Sequence, residues 1–344
     1  MATANLDSAD LKAALAGGLI HEDVMDKIWD ISNVPLPLTN MIGKGTASNE
    51  YEEWTTDQLA PPNLANKQID GSNQDTTNDT RVGARLGNHC QISTKTVQVS
   101  SRADSSDTIG STRELAYQVM QRQKELKRDV EAISLSGQGS VADDGATVAG
   151  QTAGIGAFLN TNALMGATGS VPGFNTGTKL IPAITQGTKR ALTETMVRDM
   201  AQKIYELGGD PSVLMGRPGA IRKFSEYCFT SSARIATMTE DVGTGESAST
   251  AKGAVNVFVT DFGVTLDLIP NRIQPDVATG VSNLFMLDPS TIGMDYLRGY
   301  QVESLAKKGL SEIRMMSVDW QVHVFADDAN GIIGDIDYTV AVTL

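Results

Sequence analysis

The chain reads as an α+β protein, and three observations carry that reading. One long amphipathic helix is written across residues 111–136, alternating runs fill the C-terminal third, and the composition is rich in glycine (33 residues) and poor in aromatics (5%). Such a mixture suits strands, helices and many loops better than a helical bundle. The helix opens at Ser111 with Glu114 three residues on, a capping box in which each side chain satisfies a backbone N–H left unpaired in the first turn. Leu115, Val119, Leu126, Val130 and Ile133 repeat on one face, while Lys124, Glu125, Lys127, Arg128 and Glu131 populate the others. Arg122 and Gln123 interrupt the stripe where the next apolar residue is due, so a polar contact is expected there. Gly137 and Gly139 end the helix by releasing its last carbonyls. At about 1.5 Å per residue the rod is roughly 40 Å long, and it needs a sheet or another subunit to lie on.

Size and charge bound the function. A chain of 344 residues has ample length for a core and could hold two or three domains. Its formal net charge of -13 argues against gripping nucleic acid through phosphate neutralisation. Cys90 and Cys228 stand far apart, with no CxxC and no metal spacing, so neither a disulfide framework nor a zinc cluster is expected. The N-terminus has no basic stretch followed by an apolar one, and no apolar run is long enough to span a bilayer. A soluble protein of a reducing compartment is the expectation, with no membrane partner and no cofactor.

Residues 1–45 carry weak helical patterns, first at Leu6, Leu11 and Leu15, then at Val24, Ile28 and Ile31 until Pro35 and Pro37 stop them. Too few apolar residues are present for a core, so this is an arm that packs on something else. Residues 46–104 read as two extended segments, 50–54 and 90–99, joined by a polar loop: a long hairpin whose apolar phase shifts between Ile92 and Val97, as a bulge or strong twist would cause. Its tip, residues 63–88, is rich in Asn, Asp and Gly, and a hairpin with nothing to pack on is floppy in a monomer. Residues 137–177, full of Gly and Ala, read as an adapter too poor in large side chains to be compact alone. A helix over 193–207 turns Met196, Val197, Met200, Ala201, Ile204 and Leu207 to one face. Val213–Met215 follows as a short buried strand, and Pro218 opens a further helix through Ile221, Phe224 and Tyr227. Residues 240–253 form a loop. The runs 255–259 and 264–269 flank Asp261-Phe262-Gly263 as a hairpin, residues 284–287 make another strand, and alternation at 320–325 and again at 338–344 supplies C-terminal strands that could cover the long helix.

Catalytic signals are weak. Asp327, Asp328, Asp335 and Asp337 could in principle hold a divalent cation, but Asn330-Gly331 is not at calcium-loop spacing, and a solvated turn between strands is the expectation. His21, His89 and His323 are scattered and read as structural. Gly154-Ile155-Gly156 is too short for a dinucleotide loop, and the chain has no GxSxG, no P-loop and no Cys with an activating partner.

Several local matches in one order resemble the major capsid proteins of tailed bacteriophages, whose fold is shared with herpesvirus capsid floor domains and encapsulins. Asn88–Ile92 with Val97–Ser100 is similar to the returning strand of that family's extended loop. Arg113–Tyr117 with Glu125–Glu131 is similar to the spine helix of one phage subfamily. Thr152-Ala153-Gly154 resembles its way into the central domain, and Leu214–Pro218, Asp261–Gly263, Leu287–Pro289 and Leu305–Lys307 resemble later landmarks. The matches span about residues 88–331. Lys308-Gly309-Leu310 stands where that subfamily has Thr-Gly-Asp.

The resemblance implies an N-terminal arm (1–45), an extended β-hairpin loop (46–104), a long spine helix with a peripheral domain (105–185), an axial domain (186–289) and C-terminal strands returning to the peripheral domain (290–344). It further implies a non-enzymatic virion protein that assembles with itself as pentamers and hexamers. Such a shell meets portal, scaffolding and decoration proteins and encloses double-stranded DNA without sequence-specific binding. Net acidity fits a wall that leaves the genome free to move. Candidate intersubunit contacts are Ile28 and Trp29 on the arm, Tyr51, Trp54 and Lys67 on the hairpin, and Arg113 and Arg128 on the spine, each weighed against intrachain packing or a solvated charge. The rival readings are an encapsulin-type nanocompartment and a cytoplasmic metal-dependent enzyme using the C-terminal acids.

Overall fold

The computed structural model describes residues 35–57, 59–60, 62–71, 83–106, 113–230, 257–307 and 309–340. In chain order they form α1 (Pro37–Met41), β1 (Gly43–Thr46), β2 (Tyr51–Thr56), β3 (Ala84–His89), β4 (Gln91–Ser100), α2 (Ser101–Ser105) and the long α3 (Glu114–Ser134). There follow α4 (Ile155–Phe158), β5 (Ala163–Leu164), α5 (Glu194–Glu206), β6 (Val213–Gly216), α6 (Pro218–Thr230), β7 (Val257–Val259), β8 (Thr265–Pro270) and β9 (Val281–Leu287). The chain closes with β10 (Ile292–Leu305), β11 (Ser311–Val324) and β12 (Gly331–Asp337). They divide into two compact units. The smaller holds 96–122 and 303–315 of the described chain, and the larger holds 34–95, 123–302 and the residues from 316 on. The division falls within α3 between Arg122 and Gln123, where the apolar stripe breaks.

The larger unit is built on a six-stranded sheet in the order β5-β12-β9-β6-β8-β7. Strands β6 and β8 run parallel, while β9 is antiparallel to both β6 and β12. Every residue of β6, β9 and β12 is buried, the pattern of strands covered on both faces. On one face α5 brings Val197, Met200, Ala201 and Ile204, and α6 brings Ala220, Ile221 and Phe224, onto Leu266, Leu268, Leu284 and Ile333. Thr193 caps α5 by accepting from the Met196 N–H, so this helix begins and ends where its periodicity places it. The β7–β8 hairpin closes through Gly263 at φ 82°, with Thr260 and Val264 paired across the turn at Asp261-Phe262-Gly263. The second sheet has the order β1-β10-β11-β4, with β1 parallel to β10.

In the smaller unit, Val97 and Val99 of β4 are buried, Gln98 donates through Nε2 to Ser311 Oγ at 2.8 Å, and the Ser101 N–H donates to Leu310 O at 2.9 Å. The Asp104 carboxylate accepts from the Leu115 N–H at 3.0 Å, satisfying an orphan donor in the first turn of α3. The capping box expected there includes Ser111, outside the described residues.

Several expectations are corrected. The hairpin pairs β2 with β3, Tyr51 opposite His89 through Thr56 opposite Ala84. The expected partner, residues 90–99, lies instead in the four-stranded sheet beside β11. Sequence reading placed 84–88 in the tip because Arg85, Gly87 and Asn88 have low strand propensity. Nor does β4 shift phase: its odd residues face inward without a break, and Ile92 is simply the one apolar member of the exposed, outward set. The inward face carries polar residues because they have partners, Ser93 Oγ accepting from Trp320 Nε1 at 3.2 Å and Lys95 pairing with Asp129 of α3 at 2.7 Å. The last strand is 331–337, ahead of the expected 338–344, of which 341–344 lie outside the described residues.

Asp335 and Asp337 are therefore not in a solvated turn. Asp335, at φ 62°, makes a bulge in β12 between Ile333 and Ile336, and its Oδ2 accepts from the Gly166 and Gly187 N–H groups at 2.9 Å each. Asp337 is held by Lys189 Nζ at 2.8 Å and by Thr339. The run 137–177 is also more than an adapter, since Ala153 and Ile155–Leu159 are wholly enclosed. Small residues serve close approach here: a Cβ on Gly154 would stand 2.2 Å from Ser136 O. The expected 240–253 loop is outside the described residues.

Candidate assembly surfaces

Three anchors fix the root of the β2–β3 hairpin. Asn88, fully buried, donates to Val322 O at 2.7 Å and Thr152 Oγ1 at 2.9 Å, and accepts from the Ala153 and His89 N–H groups at 3.0 and 2.9 Å. One amide thereby ties β3 to β11 and to the segment leading into α4. Trp54 donates its indole N–H to Val324 O at 3.1 Å, and its ring lies 5.9 Å from both Phe158 and His323. Glu52 accepts from Gln321 Nε2. Burial first, then the charge of Asp295, raise the Glu52 carboxyl above its ordinary value.

Beneath Trp54, His323 sits with Nδ1 2.7 Å from Asp295 Oδ2 and is only 6% exposed. Desolvation lowers its pKa, outweighing the pull of Asp295, so the imidazole is neutral at physiological pH. The histidine is structural, as its position in an alternating strand suggested. His89 is half-buried against Tyr51 and likewise lowered by burial, and His21 is outside the described residues. Cys90 is a free buried thiol pushed up to about 12, chiefly by burial, which makes it a poor nucleophile.

From this fixed root the described part of the loop leaves the body. Residues 62–71 are exposed throughout, and Leu59, Leu64 and Ile69 are 95%, 100% and 82% exposed. Among the described residues no other part of the chain covers these large apolar side chains.

A second junction lies on α3. Sequence periodicity put Glu131 on a polar face, yet it is wholly buried. Its Oε1 accepts from the Leu38 N–H at 2.9 Å and Asn271 Nδ2 at 2.8 Å, and its Oε2 accepts from the Thr39 N–H at 2.9 Å and from the Thr39 hydroxyl. One carboxylate thus joins the start of α1, the long helix and the loop after β8. Such a residue is invisible to periodicity because its partners lie 92 and 140 positions away.

The predicted contact residues separate into three groups. Tyr51 and Trp54 have partners within the chain: Tyr51 stacks on His89 at 4.6 Å with the Lys179 ammonium 5.8 Å from its ring, and its buried hydroxyl is pushed up to about 12 by desolvation, then by Glu53. Lys67, Arg113 and Arg128 are exposed. Ile28 and Trp29 are outside the described residues. Sequence reading passed over Leu59, Leu64 and Ile69 because isolated apolar residues in a Pro- and Asn-rich loop carry no period. Among the described residues no group of three or more His, Cys, Asp or Glu could hold a metal, and no helix is long and apolar enough to cross a membrane.

A two-unit α+β chain with a long helix, an outlying hairpin and C-terminal strands is the fold of capsid and encapsulin shell proteins. It matches the Cyanophage A-1(L) capsid over 93% of this chain and 98% of that one, with TM-score 0.64 and 14% identity. The capsid of a native GTA particle matches over 94% and 98% (TM-score 0.58, 12% identity), and the holo-SrpI encapsulin of Synechococcus elongatus over 99% of both chains (TM-score 0.55, 13% identity). The chain belongs to the SU10 major capsid protein family, whose model matches residues 3–337. It is also 36% identical over 102 residues to the major capsid protein of Escherichia phage Phieco32, a stretch covering 30% of this chain and 29% of that protein.

Proposed function

We propose that this chain is the major capsid protein of a tailed bacteriophage, self-assembling as pentamers and hexamers into the icosahedral shell that encloses a double-stranded DNA genome. The observation that carries the reading is the contrast between a hairpin root locked by Asn88 and Trp54 and a tip whose Leu59, Leu64 and Ile69 touch almost nothing. Burying three such side chains against a neighbour offers about 1.5–3 kcal/mol each, and a shell repeats that contact in every subunit. Family membership supports the same role. On this reading 1–45 is the arm, 46–104 the extended loop, 105–185 the spine and peripheral domain, 186–289 the axial domain and 290–344 the returning strands. Ile28, Trp29, Tyr51, Trp54, Lys67, Arg113 and Arg128 remain candidate contacts, with Tyr51 and Trp54 acting through the hairpin root they support. Portal, scaffolding and decoration proteins are the further partners of such a shell. The work is mechanical and non-enzymatic, and is done in the virion after assembly in the host cytoplasm.

Replacing residues 63–82 by a short Gly-Ser turn tests this. The variant is expected to remain folded by circular dichroism but to sediment as small species, and intact shells from it would refute the role of the hairpin. The encapsulin likeness, which covers 99% of both chains, favours a second reading as a nanocompartment. Particles that package DNA support the first reading, and particles that hold protein cargo support the second.

A further inference from the structure

We propose that the cavity bordered by α1, β1, α3 and β10 is a binding site for a phosphate group, free or carried by a nucleic acid. Phosphate binding there neither requires the shell reading nor follows from it. The cavity has a volume of about 300 Å³ and lies in the larger unit, lined by Asn40 of α1, Lys44 of β1, Lys127 of α3, and Tyr296 and Tyr300 of β10. Each of these side chains can donate a hydrogen bond, and among the described residues no carboxylate lines the cavity.

Acids outnumber bases 41 to 28 in this chain, so two lysines facing no acid depart from the rest of its surface. Both are exposed, and among the described residues neither makes an ion pair. Lys127 lies 5.7 Å from the centre of the Tyr300 ring, a contact that engages its charge but none of its three N–H donors. Glu131, whose charge reaches Tyr300, is already engaged by the Leu38 and Thr39 N–H groups, the Thr39 hydroxyl and Asn271, so it does not serve the lysines as a counter-ion. The tyrosines favour the same ligand. Their hydroxyls are hydrogen-bonded to each other, and that of Tyr296 donates onward to Met294 Sδ at 3.0 Å, a weak acceptor. Burial first, then Tyr296 and Glu131, raise the Tyr300 hydroxyl far above its ordinary value, so it keeps its proton. A phosphate oxygen supplies the strong acceptor that this pair lacks. Lysines act as point charges and, with hydroxyl and amide donors, suit a tetrahedral oxyanion, whereas the planar arginine fork that matches a carboxylate is not in the lining. Two lysines neutralise about two phosphates, which gives the backbone of an enclosed genome a foothold without the grip that retards duplex DNA at about 0.15 M salt.

Calorimetric titration of the purified full-length protein with inorganic phosphate at low ionic strength, against chloride at equal ionic strength, tests the site. Saturable phosphate binding by wild type is expected, weakened about tenfold by Lys44→Gln or Lys127→Gln and further by the pair. Tyr300→Phe, which keeps the ring but removes the hydroxyl, is expected to weaken it less. Wild type without saturable binding, or a double variant that binds as wild type does, overturns the site. A short DNA duplex in place of phosphate distinguishes the sources. Duplex binding at low salt that falls in the double variant assigns the site to nucleic-acid phosphate, and duplex behaviour unchanged by the double variant assigns it to free phosphate. Amine acetylation of wild type, read by mass spectrometry, needs no variant to fold: phosphate is expected to shield Lys44 and Lys127 but not the exposed Lys67, and equal labelling of all three with and without phosphate overturns the proposal.

Discussion

At the scale of single residues, the chain depends on a few buried polar groups, each joining segments far apart in sequence. Asn88→Ala strips partners from the Ala153 and His89 N–H groups and from Val322 O at one stroke. Because buried donors left unsatisfied cost more than a hydrogen bond gains, a loss of about 2–4 kcal/mol is expected in chemical denaturation of the subunit. His323 and Glu52 give opposite pH signatures. The folded pKa of His323 lies below its ordinary 6.5, so the unfolded chain takes the proton more readily, and stability that is full above 6.5 is lost as pH falls from there through the folded value. The folded pKa of Glu52 lies above its ordinary 4.5, so its contribution is full below 4.5 and lost as pH rises through the folded value. Between pH 7 and 5.5 the melting temperature of wild type is expected to fall more steeply than that of His323→Gln, while Glu52→Gln is expected to raise it at pH 7 by about 2 °C. Equal slopes for wild type and His323→Gln would show that this imidazole is not the group responsible. None of these roles was legible in the sequence beyond the placement of His323 in an alternating strand, because each is set by long-range partners such as Asp295 and Gln321.

At the scale of elements, what the sequence disclosed follows the strength of local pattern. Helix α5, strand β6, the start of α6 and the turn at Asp261-Phe262-Gly263 stood where period, capping and turn chemistry put them. Strands β3 and β12 escaped because their residues break strand propensity: Gly87 admits the Tyr51 ring, where a Cβ would stand 2.5 Å from its hydroxyl, and Asp335 makes a bulge whose groups are satisfied by Gly166, Gly187, Arg190 and Asn283, all far away in sequence. Helix α3 was legible as a rod, but its buried face gathers in the half after the break, at Leu126, Val130 and Glu131. Glu131→Ala leaves the Leu38 and Thr39 N–H groups without their acceptor, so α1 is expected to release, exposing the backbone of 37–41 to faster amide exchange while β6 and β9 stay protected. Uniform exchange across the chain would mean that Glu131 holds the whole unit rather than this joint.

At the scale of the molecule, the net charge of -13 and the exposed tip act together. On the proposed function, acidity is expected to hold free subunits apart by repulsion and to keep the assembled wall from gripping a genome through its phosphates. Dissociated subunits are accordingly expected not to retard duplex DNA on a gel at about 0.15 M salt, where a protein relying on phosphate neutralisation still binds. A shifted band would point to a basic face that the overall charge conceals. Attraction between copies must then come from local contacts, and among the described residues the hairpin tip carries the two most exposed large apolar side chains, Leu59 and Leu64. The most direct test is electron microscopy of the purified full-length protein under assembly conditions. The account predicts closed particles with five-fold and six-fold clusters in which each hairpin lies on a neighbour, and a population of single subunits with the hairpin folded against its own body would contradict it.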